Sequence, residues 1–467
     1  MIFIPCLLIF SILLAQPVGT QKDTLSAADT IRGPSRTVSS TSSVSDQLLQ
    51  DIIHPSPQSA AYARYGEYPV DYSTGVPKIE IPLYTLDTGD YQLPISISYH
   101  ASGIKVTDVS SPVGLGWVLN AGGVISCTAH AVPDRYGSAY NLYFKDRAQM
   151  QNEINNPSLG WNWWTQFFNG FPSYDSETDR YAYNFPGKAG IFRYDSATGG
   201  IHALPHDPLK IEETQTGYKI TDTDGTQYIF ETRELCGGNV SQGYSAYYLD
   251  RIITGQRHNV ITFSYGTSEY SVNSFAEAYD EGETVYWEEN IPNAGYSMQL
   301  GTIAEFDRKF QTYYYHVPLL TSITWNGVTV SLTYSNDRLD PQRHRLSTLS
   351  VTDSGTQVRY VSFGNTSYFG NSTYNYRLKL SSLSIKGSSS SSTAESYSFT
   401  YNTQTPPDYY RLTTGAYGCY EDYWGYYNAK PSLHVIPDGV VPGRATADRT
   451  PAESYMKMCS LESITYP

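Results

Sequence analysis

Charged residues, methionines and cysteines are scarce in this sequence. Of its 467 residues, 16% are charged, five are Met and five are Cys. Basic residues are also outnumbered, since 31 Lys and Arg stand against 45 Asp and Glu, for a net charge of -14. A surface of this charge repels phosphate backbones and anionic lipid head groups, so we expect no nucleic-acid partner.

Aromatic residues are abundant instead. The chain has 43 Tyr, 16 Phe and seven Trp, which together make up 14% of it. With many Ser, Thr and Gly, they favour β structure with many turns, which excludes a coiled coil, a helical bundle and a collagen-like chain. So many aromatic side chains can bury enough apolar area to offset the ordering entropy of folding. We therefore expect an all-β protein rather than a disordered one.

The N-terminus has the pattern of an exported protein. An apolar run at 2–15 has the length of the hydrophobic part of a signal peptide, which we place at 1–20, and it is too short to span a bilayer. No second run of spanning length follows, so we expect no membrane span after signal removal. Residues 21–60 are rich in Ser and Thr and predict a disordered linker. The expected location is secreted or at the cell surface or outer membrane.

A β motif is predicted at 61–135. Apolar residues alternate with polar ones from Ile79 to Leu83 and from Leu93 to Tyr99, which predicts two strands with one buried face. The turn residues at 87–90 between them predict a hairpin. Glycines then occur where the chain must turn sharply or where two backbones approach closely. If φ is positive at Gly116 or Gly122, valine there should lower the free energy of unfolding by about 1 kcal/mol or more.

Residues 136–245 predict an aromatic-rich β region. Trp161, Trp163 and Trp164 lie close to three Phe residues at 167–171. Flat rings beside amides are typical of sugar-binding surfaces, but large aromatic side chains also fill cores. Since exposure of the whole cluster would make an unusually large apolar patch, packing is the simpler reading, with glycan binding as the alternative.

A loose hairpin repeat is predicted across 246–467. A Leu-x-x-Ile or Leu-x-x-Leu opening is followed by a turn and a strand with an aromatic end, and the openings stand at 249–252, 320–323, 346–349, 380–383 and 461–464. Such hairpins side by side predict large twisted antiparallel sheets, shell-like or sandwich-like, with one shared inner face. Their uneven spacing excludes a propeller. The fifth opening has no strand after it, so we expect a truncated chain or a neighbour that covers this edge.

Each candidate chemical motif also has a simpler, purely structural interpretation. Asp222, Asp224 and Gly225 match part of a calcium loop, but they also suit a plain turn between two strands, which we favour. His202 and His206 have zinc-like spacing only on a helix, and Pro205 and Pro208 oppose a helix there. Adjacent acidic pairs on a strand would face opposite ways. We expect no enzyme, no metal and no cofactor.

Four cysteines remain after signal removal, at Cys127, Cys236, Cys419 and Cys459, with no Cys-x-x-Cys pair among them. In an oxidising compartment they allow one or two disulfides, with three pairings for two bridges, and buried free thiols are the alternative.

Several segments together resemble the N-terminal region of bacterial RHS/YD-repeat proteins, most of all the large secreted versions of Bacteroidetes-type bacteria. They are DYSTGVP at 71–77, IPLY at 81–84, LPISISYHASGIKV at 93–106, GLGW at 114–117, GGVI at 122–125, DYWGYYN at 422–428 and LESITYP at 461–467. The structural residues that this motif marks are Gly75, Gly103, Gly114, Gly116, Trp117, Gly122 and Gly123.

The resemblance implies a fold and a function. In that family the YD repeats wind a β-sheet into a hollow shell that often encloses a toxin, and a related N-terminal segment helps to close the shell of insecticidal toxin complexes. This chain departs from the full pattern, since it has no long regular repeat array, no C-terminal core motif and no toxin domain.

We therefore expect a non-enzymatic scaffold, the N-terminal part of a shell or surface protein associated with toxin delivery or intercellular competition. Its partner would be downstream RHS repeats or another chain at the C-terminal edge. The alternative is a stand-alone adhesin or glycan-binding module with a cell-surface or glycan partner.

Overall fold

The computed structural model describes residues 70–71, 76–128, 135–136, 139–140, 178–195, 200–237, 242–280, 284–288, 307–388, 393–409, 419–432 and 447–467. They form antiparallel β-strands and one short helix, which confirms the all-β prediction. The predicted signal peptide and linker at 1–60 lie outside the described residues.

The first strands contain the predicted hairpin. They are β1 (Val70–Asp71), β2 (Val76–Pro77), β3 (Ile79–Asp87), β4 (Gln92–Tyr99) and β5 (Trp117–Asn120). β1 pairs with β2, and β3, β4 and β5 form a three-stranded sheet. Ile81 lies opposite Ile97, and Leu86 lies opposite Leu93, all of them buried. The hairpin predicted from the alternation is confirmed, because the two alternating runs present their apolar side chains to the same face.

The remaining strands follow in chain order, with one short helix before the last. They are β6 (Val124–Thr128), β7 (Arg135–Tyr136), β8 (Ala139–Tyr140), β9 (Arg180–Phe185), β10 (Lys188–Tyr194), β11 (Ile201–Leu204), β12 (Lys210–Glu213), β13 (Tyr218–Thr221), β14 (Gln227–Gly237), β15 (Gln242–Ile253), β16 (Val260–Asp280), β17 (Thr284–Glu288), β18 (Asp307–Trp325), β19 (Val328–Ser335), β20 (Arg345–Asp353), β21 (Thr356–Gly364), β22 (Ser367–Phe369), β23 (Arg377–Lys379), β24 (Ser382–Lys386), β25 (Glu395–Tyr401), β26 (Cys419–Glu421), β27 (Tyr427–Ser432), α1 (Glu453–Met456) and β28 (Leu461–Thr465).

Most of these strands belong to one large sheet. One uninterrupted series of neighbours in it is β18, β19, β20, β21, β24, β25 and β28, all antiparallel. The predicted hairpins correspond to the pairs β15 with β16, β18 with β19, β20 with β21, and β24 with β25. We call the strands from β18 to β28 in this series the hairpin array.

Two hairpins of the hairpin array have two-residue turns, and both residues of each turn have positive φ. Asn326 and Gly327 have φ of 41° and 84°, and Ser354 and Gly355 have φ of 48° and 84°. Such a turn has the twist that joins adjacent antiparallel strands directly, and Asn-Gly is its preferred sequence. The sequence Asn326-Gly327 therefore suits the turn that it forms between β18 and β19.

The large sheet branches at β15. One edge of β15 pairs with β14, and the other edge is shared by β6 near Tyr247 and by β16 near Ile252. From β6 the pairing continues through β9 and β10 to β11. The chain that leaves β5 therefore enters the large sheet directly, which connects the N-terminal β motif to it covalently.

The three-stranded sheet packs on the inner face of the hairpin array. Leu332, Leu349, Val361 and Ile385 lie side by side on neighbouring strands and are buried. They share one hydrophobic core with Leu83, Leu93, Ile95 and Trp117 of the N-terminal β motif. The small sheet therefore lies over part of the large one.

Tyrosine fills a second part of the core. The rings of Tyr181 and Phe192 stack at 4.9 Å, and Tyr218 contacts both of them and Tyr247. The hydroxyls of Tyr194 and Tyr218 lie 3.0 Å apart. Burial raises the pKa of Tyr218 well above its usual value. Part of the tyrosine content is thus used as core, with the buried hydroxyls bonded to each other.

The Asp222–Gly225 segment is a turn between β13 and β14, as favoured from the sequence. Asp222 Oδ1 accepts the amide of Thr223 at 2.7 Å, and Asp224 Oδ1 accepts the amide of Thr226 at 2.8 Å. Gly225 has φ of 86°. His202 lies on strand β11.

Cys127, Cys236 and Cys459 are buried, and Cys236 and Cys459 are free thiols. Burial raises the pKa of Cys236 to about 11 and that of Cys459 to about 12. Within the described part of the chain, no helix is long and apolar enough to cross a membrane.

Candidate functional site

The candidate site, which has many polar contacts, is the junction between the N-terminal β motif and the hairpin array. Its centre is the β4–β5 loop, residues 100–116, which passes between the small sheet and the array. A loop in a protein interior must have its carbonyl and amide groups hydrogen-bonded. Here, side chains from the far part of the chain supply many of those bonds.

Arg338 is the first of these side chains. Its guanidinium donates to the carbonyl oxygens of Ser110 and Ser111 at 3.0 and 3.1 Å. The same group is paired with Asp340, with Nε to Oδ1 at 2.7 Å, and both side chains are fully buried. Since a buried charge is stable only when it is paired and fully bonded, the ion pair and the loop carbonyls depend on each other.

Arg377 is the second. It is fully buried, and it donates to the carbonyl oxygens of Val106 at 2.7 Å, Asn375 at 3.2 Å and Pro407 at 3.1 Å. Its guanidinium also lies 4.1 Å from the ring centre of Tyr409. Burial raises the pKa of Tyr409 to about 12. One side chain thus joins the segments of Val106 and Pro407 to its own, because the forked guanidinium group has several donors.

Asn365 completes the set. Its Nδ2 lies within hydrogen-bonding distance of the carbonyl oxygens of Pro112, Val113 and Leu346. Backbone bonds run beside it, from the Leu346 amide to Pro112 O and from the Leu115 amide to Leu378 O, both at 2.8 Å. The loop is therefore bonded to the start of β20 and to β23 as part of one structure.

Two glycines of the motif occupy positions that exclude a side chain. Gly103 and Gly116 have φ of 100° and 75°. A Cβ at Gly103 would lie 2.9 Å from the Tyr426 ring, and one at Gly116 would lie 2.6 Å from the Tyr99 ring. Both positions need glycine, because positive φ and close packing act together there.

The other predicted structural residues lie at close contacts of different kinds. A Cβ at Gly114 would lie 2.9 Å from the Leu380 amide nitrogen, and one at Gly123 would lie 2.7 Å from Phe185 Cβ. Gly122 is less restricted, since its nearest neighbour is the Phe263 ring at 3.4 Å. Trp117 is fully buried, 4.8 Å from the Phe399 ring. Gly75 lies outside the described residues.

A second polar contact joins the β3–β4 turn to the β15–β16 turn. The Asp90 carboxylate accepts the Thr254 hydroxyl at 2.7 Å, the Arg257 amide at 2.9 Å and the Asn259 side-chain amide at 2.9 Å. These bonds, that of Thr254 above all, hold the pKa of Asp90 well below its usual value. The small sheet is thus bonded to the large one at both of its ends.

The hairpin of β26 and β27 lies against the β4–β5 loop from outside. The Val106 amide donates to Gly425 O at 2.9 Å, and the Tyr426 hydroxyl donates to Ser102 O at 2.9 Å. At its tip, Tyr423 and Trp424 are 49% and 61% exposed. The DYWG sequence at 422–425 marks the turn that carries these two rings, but the sequence alone does not show that they face solvent.

One pair resembles a nucleophile and its base. Ser268 Oγ lies 2.8 Å from His344 Nδ1, and Ser268 is buried. Burial lowers the pKa of His344, and the positive charges of Arg343 and Arg338 lower it further. A catalytic histidine of this kind is oriented by a carboxylate, whereas the charges that act on His344 come from arginines.

The predicted glycan residues Trp161, Trp163 and Trp164 lie outside the described residues. Among the predicted site residues, the fold brings the described glycines of the motif and Trp117 together, while sequence reasoning missed Arg338, Arg377, Asn365 and the Tyr423–Trp424 pair. The chain matches no protein-family model, and no curated protein matches it.

Proposed function

We propose that the chain is a secreted, non-enzymatic β scaffold of the RHS type, the N-terminal part of a shell or cell-surface protein associated with toxin delivery or intercellular competition. The observation that supports this most is the junction described above. Three of the segments that resemble the RHS N-terminal region, at 81–84, 93–106 and 114–117, belong to the small sheet and its loop, which pack on the hairpin array. A cap over one part of a continuous sheet is what a shell-closing segment requires.

The use of polar groups at the junction supports the non-enzymatic part of the proposal. Arg338, Asp340 and Arg377 are buried and bond to backbone or to each other. Such groups add specificity to a fold, because a wrong arrangement would leave a charge buried without a partner. In this proposal they set the position of the N-terminal β motif on the array.

In this proposal, the partner binds at the last strand of the array, β28. β28 pairs with β25, with Phe399 opposite Ile464 and Ser398 opposite Thr465. In this proposal a strand from downstream RHS repeats, or from a partner chain, pairs with the other edge of β28. An antiparallel strand there would extend the sheet by main-chain hydrogen bonds.

The test uses the native protein in the producing cells. Antibodies to this chain would follow its mass and its sensitivity to a protease added outside intact cells, with a cytosolic protein as the control. The proposal predicts a species far above 52.1 kDa, the mass of this chain, that is removed from the cell surface while the control survives. A protein of that mass or less, kept inside the cells and protected, would refute the proposal.

A further inference from the structure

The tip of the β26–β27 hairpin presents two adjacent aromatic rings to solvent. The rings of Tyr423 and Trp424 lie 6.2 Å apart at an interplanar angle of 81°. Two rings at this angle form the floor and the wall of a shallow corner. Exposed side chains of this type in contact with each other are common in ligand-binding surfaces.

The backbone beneath the rings is held in place. Asp422 is fully buried, and its Oδ1 accepts the amides of Trp424 at 2.8 Å and Tyr426 at 2.9 Å. The Arg449 guanidinium donates to Asp422 O at 2.6 Å, and the Tyr423 amide donates to Arg449 O at 3.1 Å. Because these hydrogen bonds fix the backbone of the tip, binding there would lose little conformational entropy.

The charge at the tip favours a neutral ligand. The acidic residues of the hairpin next to the rings are Glu421 and Asp422, and they are 3% and 0% exposed. These two carboxylates are therefore shielded from a ligand on the rings, and the side chain of Lys105 packs beside Gly425 at the base of the tip. A nucleobase would also stack on such rings, but its phosphates would be repelled by the net charge of -14.

The area of the pair favours a small ligand. An aromatic side chain buries about 150–250 Å², so rings exposed to 49% and 61% offer roughly 200 Å² together. A stable protein partner needs about 800 Å² on each side. A single sugar ring is of the right size, since the C–H groups of one of its faces form a small apolar patch while its hydroxyls remain in water.

We propose that Tyr423 and Trp424 form a binding site for neutral carbohydrate, in which a pyranose ring stacks on Trp424 beside Tyr423. The proposal does not depend on the scaffold function. It also differs from a glycan site at Trp161, Trp163 and Trp164, because it uses a different surface.

The test is binding of the purified chain to an array of neutral gluco-, manno-, galacto- and xylo-oligosaccharides, with heparin and single-stranded DNA as anionic probes. We expect binding to at least one neutral oligosaccharide and none to the anionic probes. Trp424→Ala should weaken it by about tenfold or more, and Trp424→Phe should retain most of it because a ring remains. Tyr423→Ala should also weaken binding, and it provides a second test if the Trp424→Ala variant does not fold.

Two control variants make the result specific to this site. Tyr314→Ala removes another exposed ring, 57% exposed, and should leave binding unchanged. Trp163→Ala should leave it unchanged as well. The proposal is overturned if no neutral oligosaccharide binds, if the folded Trp424→Ala and Tyr423→Ala variants bind as the wild type does, or if Trp163→Ala alone abolishes binding.

Discussion

The indole Nε1 of Trp117 donates a hydrogen bond to the hydroxyl of Tyr401 at 2.8 Å, across 284 positions of sequence. The Tyr401 hydroxyl in turn donates to Leu380 O at 2.6 Å. All of these groups are buried in the shared core. The bond therefore joins the N-terminal β motif to the hairpin array at the point where a misplaced polar group would be most costly.

Replacement of Tyr401 by Phe should destabilise the protein by about 1–3 kcal/mol, because the Trp117 N–H and the Leu380 carbonyl both lose their partner in the core. Urea unfolding of the purified chain measures this. Tyr423→Phe is the matched control, since that hydroxyl belongs to an exposed side chain and its loss should change stability by less than about 0.5 kcal/mol. Equal unfolding midpoints for the two variants would contradict the assigned role of Tyr401.

Alanine at Gly116 should cost more than about 1 kcal/mol, because φ is 75° and the new Cβ would meet the Tyr99 ring at 2.6 Å. Alanine at Gly122 should cost less than half as much, since its Cβ would approach the Phe263 ring only to 3.4 Å. Thermal unfolding of both variants gives the comparison. A larger loss at Gly122 than at Gly116 would show that the described loop geometry is wrong.

Asn in place of Asp90 should lower stability at pH 7, and the difference from wild type should shrink in acid. The folded-state pKa of Asp90 is lowered, so its contribution is present above the unfolded pKa of about 3.9 and is lost as pH falls through the folded value. The check is the difference in urea midpoint between wild type and variant, measured from pH 7 down to pH 3. A difference that stays constant over this range would rule out ionised Asp90 as its source.

Met in place of Arg377 should destabilise the chain by more than about 2 kcal/mol, because buried carbonyl oxygens, including Val106 O, lose a charged donor. Arg377→Lys should not restore stability, since one ammonium cannot reproduce the fork. Arg343→Met removes an exposed guanidinium and serves as the control. The stabilities come from chemical unfolding, and an Arg377→Lys variant as stable as wild type would be the contrary result.

Much of the fold is readable from local sequence. The alternation at Ile79–Leu83 and Leu93–Tyr99 places a hairpin, and Asn326-Gly327 places a two-residue turn. The Asp222–Gly225 turn was recognisable for the same reason. These features depend on φ preferences and on side-chain period within a few residues, so the sequence determines them before any distant contact forms.

The junction and the aromatic tip were decided by tertiary structure. The bond from Arg377 to Val106 O spans 271 positions, and nothing local marks an arginine that is to be buried. Likewise, DYWG predicts a turn but not that Asp422 is buried while Trp424 is exposed. The sequence by itself determined the strands, the turns and the all-β class, because those follow from neighbouring residues. Which buried charges bond to which carbonyls, and which rings remain in water, was set only when distant strands packed together and fixed which groups lose contact with solvent.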